Sequence, residues 1–283
     1  MLRRHRVGQA LAVISVCAST IAAAQTKKEY RFTVGPKASV SIINQYGGIS
    51  VKPSGTAQVV VLATRHSDKA EIENTQNGDR IVLRTRLLDG ANAENARVDY
   101  EVQLPADASI SLHSVDGPLR AEDVSGDISM EGDVASVDVR DVAGVHVHVS
   151  SLNGPVTLTN IRNGHVEINS VGGDVNLDSV TGPFVEVTSA KGRIHYTGDF
   201  GTGGNYKLTS HTGDIEAIVP EEASFDVTAR SVRGDVENDF PLTARQHTSL
   251  LPQRGRSFVG AAGKAASSVI LRTFSGKIRL KKR

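Results

Sequence analysis

The sequence has no tryptophan, and phenylalanine and tyrosine together make up only 4% of it. A groove paved with aromatic faces for stacking sugars or bases is therefore excluded, and no nucleic-acid partner is expected. Cysteine is nearly absent too. The one cysteine, Cys17, lies close to the N-terminus, so the chain can form no internal disulfide and no thiolate metal cluster. No apolar run reaches the length of a membrane span, and no transmembrane segment is expected. Motifs for common chemistries are missing: there is no G-x-S-x-G elbow, no H-E-x-x-H and no dinucleotide fingerprint. "GAAGK" at 260–264 lacks the first glycine and the hydroxyl of a phosphate loop. No catalytic residue is assigned, and a non-enzymatic protein is expected.

Acid is absent from both ends. All 31 Asp and Glu lie between Gln25 and Phe240, where they face 19 Lys and Arg, while Pro241 to Arg283 holds ten Lys and Arg and no acid. The net charge of +1 thus conceals two oppositely charged stretches. Arg3, Arg4 and Arg6 precede an apolar stretch from Ala10 to Ile21 and the small residues Ala22-Ala23-Ala24. That is the pattern of a cleavable export signal over 1–24, and a periplasmic or secreted product is expected. Val16 is bulkier than a lipid-attachment site before Cys17 would accept.

What is abundant is glycine and the branched aliphatics, a β-rich composition. From Gly126 onward these recur at one fixed step, the interval from Ile128 to Val147. Ile128, Val147, Val166 and Val185 form one column, and Met130, Val149, Ile168 and Val187 a second. On another strand, Val137, Val156, Val175 and Ile194 align, as do Val139, Leu158, Leu177 and Tyr196. Each pair alternates with polar residues, as a strand with one buried face requires. The strands are separated by corners: an S-x-x-G column at Ser151, Ser170 and Ser189, and a second at Gly144, Asn163 and Gly182. The expectation is an all-β chain, a parallel β-solenoid with coils of about 19 residues and two short strands each. The Gly-Asp corner returns at Gly213 and Gly234, and again at Ser275-Gly276 after a basic loop insertion at about 241–268. Residues 25–112 alternate without a fixed period and read as a partly antiparallel β-rich cap, with the solenoid repeats over 113–283. Lys277 and Arg279 read as charges that blunt a last, exposed strand.

The corner-and-strand motif S-x-x-G-[DP]-[IV]-x-[LIV] stands here as "SLNGPVTL", "SVGGDVNL" and "SHTGDIEA". With "VSIINQYGGISVKPSG" near the start, it resembles the bacterial putative-adhesin family of β-strand-repeat proteins, a family of unknown function. The resemblance covers about Tyr30 to Leu280. It implies surface binding and carries no catalytic residues with it.

The same step sets His146 beside His165, and His148 beside Glu167 and Glu186, on an outward face. His146, His148, His165 and Glu167 are candidate ligands for zinc or copper, giving a periplasmic metal-binding protein as one alternative. Glu167 and Glu186 could imitate a glycosidase carboxylate pair, giving a polysaccharide-active enzyme as another, although the corners look too tight to wall a cleft. Asp127, Asp174, Asp214 and Asp235 read as aspartates bonding their own turns, with no calcium site implied. Arg245, Arg254, Arg256 and Lys264 are candidates for gripping an anionic surface. The main expectation is an exported β-solenoid that binds an envelope polysaccharide or a protein partner, with self-association a further possibility.

Overall fold

The computed structural model describes residues 25–243 and 255–283. The expected export signal over 1–24, Cys17, Arg245 and Arg254 lie outside the described residues. Within them are 24 strands, arranged in two 12-stranded sheets that face each other across one apolar core. No helix of the described residues is long and apolar enough to cross a membrane.

The expected columns are the observed ladders. Ile128, Val147, Val166 and Val185 are successive in-register partners in one sheet, as are Met130, Val149, Ile168 and Val187. Val137, Val156, Val175 and Ile194 do the same in the other. These residues are buried, and the alternate positions face outward. The sheet carrying His146–Ser151 is called the histidine sheet below, and its counterpart the opposite sheet.

The S-x-x-G corner has a packing reason. The seryl Oγ of Ser151, Ser170 and Ser189 donates to the carbonyl of the glycine three residues on, at 2.6, 2.8 and 3.0 Å. Those glycines stack so closely that a Cβ on Gly173 would stand 1.9 Å from the Gly154 carbonyl oxygen. Glycine is required there by the approach of the coil below, not by an unusual φ. At the far corner Gly144 and Asn163 have φ of 68° and 50°. A parallel column of non-glycine residues, Asp123, Asp141, Asn160 and Ser179, also sits at φ of 56–57°. Short polar side chains that bond locally tolerate this conformation best.

Residues 25–112 and 113–283 share their sheets: Leu112 lies within strand Ser109–Asp116, which pairs in parallel with Ser39–Tyr46 and Ile128–Gly132. Three sheet edges are antiparallel strands: Thr26–Thr33 on Gln58–Arg65, Ala70–Asn77 on Arg80–Leu87, and Ser257–Ala262 on Phe225–Ser231. The fourth, Val236–Asn238, is only three residues long. Short or antiparallel edges discourage end-to-end growth of the stack.

Stacking order departs from chain order at both ends of the stack. Ser39–Tyr46 lies between Arg80–Leu87 and Ser109–Asp116, not outside them. Likewise Ser268–Thr273 and Ile278–Lys282 lie between the coil of Asn205–Val219 and that of Phe225–Asn238. The exposed-edge reading of Lys277 and Arg279 is therefore corrected, because the last strand is flanked on both sides. Its cations meet acids of the adjoining coils instead. Arg279 lies 3.6 Å from Asp214 and 3.5 Å from Glu237, Lys281 lies 2.5 Å from Glu216, and Lys282 2.7 Å from Glu221.

Candidate binding groove and arginine cluster

The stack brings His146, His148, His165 and Glu167 onto one outward face, as the spacing requires. The rings of His146 and His165 lie parallel, 4.9 Å apart and 2° from coplanar, and His165 leans on Phe184 at 4.7 Å. His148 Nδ1 is 3.7 Å from Glu167 Oε2. Imidazoles stacked face to face direct their nitrogens side by side, whereas a tetrahedral ion needs them to converge. Among the described residues, no group of three His, Cys, Asp or Glu side chains is arranged to hold a metal. Glu186 is engaged by Lys207 Nζ at 2.6 Å, so His148, Glu167, Glu186 and Lys207 form a ladder of compensating polar groups.

The outward side of the opposite sheet is a second such ladder. Arg140 bonds Asp138 through two nitrogens at 2.8 and 2.7 Å, and Arg193 reaches Asp174 at 3.0 Å. The Lys281 ammonium holds the Glu216 carboxyl below its ordinary range, with burial opposing it. The Gly-Asp corners differ from expectation here. Asp174 Oδ1 accepts the backbone N–H of Arg193 at 2.9 Å, and Asp214 Oδ1 that of Lys277 at 2.8 Å. Each aspartate caps the next coil rather than its own turn, because the corner points it along the stack.

A groove of about 550 Å³ follows the S-x-x-G corner of the histidine sheet across five coils, from Glu131 to His211. Its floor is one outward column, Ser150, Asn169, Thr188 and Thr209, whose neighbours in the stack are direct ladder partners. Its wall is the column just past the buried serines: Leu152 and Val171, 47% and 44% exposed, then Ala190 and His211. The three middle coils each add one hydroxyl or amide and one small apolar surface: Ser150 with Leu152, Asn169 with Val171, and Thr188 with Ala190. Adjacent rungs repeat at about 4.8 Å, the strand spacing. Thr209 Oγ1 is buried with no hydrogen-bond partner.

The floor column continues beyond Thr209 into two arginines. Arg272 is the partner of Thr209, and Arg230 the partner of Arg272. The wall continues into Phe274, stacked on His211 at 5.0 Å, with the Arg233 guanidinium 4.8 Å over its ring. Arg256 is exposed at the corner that follows Arg230: its carbonyl accepts the Ser231 N–H at 2.9 Å and its guanidinium donates to the Val232 carbonyl at 3.5 Å. Lys264, a candidate for the same surface, lies beyond the opposite end of strand Ser257–Ala262, whose six residues span about 20 Å. The structure therefore separates Arg256 from Lys264 and leaves Arg256 at the corner next to the pair Arg230 and Arg272, a pair that the sequence reading missed. The signal was present: the step from Thr209 to Arg230 equals the step from Gly213 to Gly234.

Solved structures similar to this chain are distant. One titled a "putative adhesin" from Bacteroides fragilis shares 13% identity at a TM-score of 0.49, covering 90% of this chain and 97% of its own. A second, a "putative adhesin" from Parabacteroides distasonis, shares 11% at 0.42 and covers 91% and 97%. A third, from Parabacteroides merdae, shares 10% at 0.40 and covers 91% and 96%. No curated protein matches the sequence. The family model described as Toastrack DUF4097 matches residues 39–281, from the first inserted strand to the last. With two long sheets of mostly parallel strands and its corner motif repeated through that span, the chain belongs to the Toastrack DUF4097 family.

Proposed function

We propose that the protein is an exported, non-enzymatic binding protein that holds an extended envelope polysaccharide along the corner groove. The carrying observation is the groove itself, which runs with the stack axis and repeats its chemistry coil by coil from Ser150 to Thr209. A polymer with a repeating hydroxyl pattern can place one unit on each rung. Hydrogen bonds from Ser150, Asn169 and Thr188 would orient it, and the apolar wall would cover its C–H faces. Export is supported by the basic, apolar and small-residue pattern of residues 1–24.

The test is retention of the protein on envelope fractions from the producing cell, before and after protease treatment. Thr188→Trp, at an exposed floor position, should block the groove and abolish retention that survives protease. Retention that disappears with protease would point to a protein partner. Retention undiminished by Thr188→Trp would sink the groove as the binding surface.

A further inference from the structure

We infer that Arg230 and Arg272, flanked by Arg233 and Arg256, form an oxyanion-binding site at the end of the groove, and that the polymer held there is an acidic polysaccharide. This rests on the groove being the polymer's track. The ladder places Arg230 and Arg272 directly side by side on adjacent strands, about 4.8 Å apart at the backbone. Both are exposed. Like charges at directly paired positions oppose folding. Among the described residues no carboxylate bonds Arg230, Arg233, Arg256 or Arg272, and no acid follows Asp239 in the sequence. On the opposite sheet the same chain does pair its cations, setting Arg140 on Asp138, Arg193 on Asp174 and Arg279 between Asp214 and Glu237.

The place in the groove names the ligand. Arg272 is the rung after Thr209, so a polymer lying on Ser150, Asn169, Thr188 and Thr209 runs onto the arginine pair. Arg233 is held in position by its seat over Phe274, itself braced by His211. Guanidinium groups bind carboxylate and phosphate oxygens through paired N–H donors. The other end of the groove carries Glu131 and Asp133, which repel an acidic chain and so fix where its charged units settle.

The experiment uses the full protein and two polymers of one backbone, polygalacturonate and its neutral methyl ester, in low salt. The variants are Arg230→Gln/Arg272→Gln, Thr188→Trp, and a charge-matched control, Lys27→Gln/Lys28→Gln, on the N-terminal edge strand. Polygalacturonate should bind at least about tenfold tighter than the ester, and the arginine variant should lose about tenfold or more while the control loses nothing. The arginine variant should also melt no lower than wild type without ligand, because it removes a like-charge pair. Inorganic phosphate at constant ionic strength should raise the wild-type melting temperature and not that of the arginine variant. Equal loss in the arginine variant and the control would overturn the site in favour of diffuse charge. So would a variant that binds as wild type, or a phosphate effect that persists in it. Loss with Thr188→Trp alone would keep the groove and remove the anion site. Loss with the arginine variant alone, with Thr188→Trp binding as wild type, would keep the anion site and remove the groove as the track.

Discussion

Replacing Gly173 with alanine tests whether the glycine ladder sets the spacing of the stack. The new Cβ would lie 1.9 Å from the Gly154 carbonyl oxygen, where real contacts essentially never fall below 3.0 Å. The two corners must therefore separate by about 1 Å or more, a fifth of the strand spacing. Three hydrogen bonds join the two coils at that corner: Val171 N–H to Ser151 O at 3.0 Å, Gly172 N–H to Leu152 O at 2.7 Å, and Val156 N–H to Asp174 O at 2.9 Å. At about 1 kcal/mol each, their loss costs about 3 kcal/mol. For a chain of this size that lowers the melting temperature by about 6–12 °C, readable by far-UV circular dichroism. Gly55→Ala is the control, since a Cβ there meets nothing within 4 Å, and its effect should stay within about 1 kcal/mol. A Gly173→Ala melting point no lower than that of Gly55→Ala would refute the close-approach account.

Ser189→Ala removes a buried hydroxyl that bonds Gly192 O at 3.0 Å, and urea titration should show a loss of about 1 kcal/mol. Glu216 has its folded-state pKa lowered chiefly by the Lys281 hydrogen bond. Its contribution is full above the ordinary carboxylate range and is lost as pH falls through the lowered value, so melting curves of Glu216→Gln should fall less steeply on acidification than wild type. Burial pushes the Tyr100 hydroxyl up to about 12 and raises Tyr196 and Tyr206 as well, so an ultraviolet alkaline titration should show late-titrating tyrosines, of which Tyr100→Phe removes one. Charge reversal at Lys264 should leave binding of polygalacturonate unchanged, in contrast to Arg272, because it sits beyond the far end of the edge hairpin.

The coils from 126 to 199 were legible because each rung repeats both its apolar pair and its corner at one fixed step. The outward neighbours His146, His165 and Phe184 followed from the same arithmetic. What it could not supply was the order of coils at the ends. A register shows which residues share a face, but Ile278 can follow Ile215 in space only because Val236 is displaced outward, and nothing local in "SGKIRL" records that. The direction of the corner aspartates was hidden for a similar reason. An aspartate after glycine can bond its own turn or the next coil, and the choice rests on how closely successive coils stack. The arginine cluster was missed because Arg230 and Arg272 stand far apart in the sequence and are adjacent only through the inserted coil.

That insertion also sets an order of events during synthesis. The ribosome releases Phe225–Asn238 before the strands that must lie beneath it, so the stack cannot be finished by simple addition in the order of translation. Until Ser268–Lys282 emerges, the coil of Asn205–Val219 presents Asp214 and Glu216, and the waiting coil presents Glu237, with none of their later cations between them. The cations of strand Ile278–Lys282 are what fill that slot. A chain cut short at Phe240 would lack that wedge entirely, so the coil of Phe225–Asn238 could not take its place in the stack without residues 268–282.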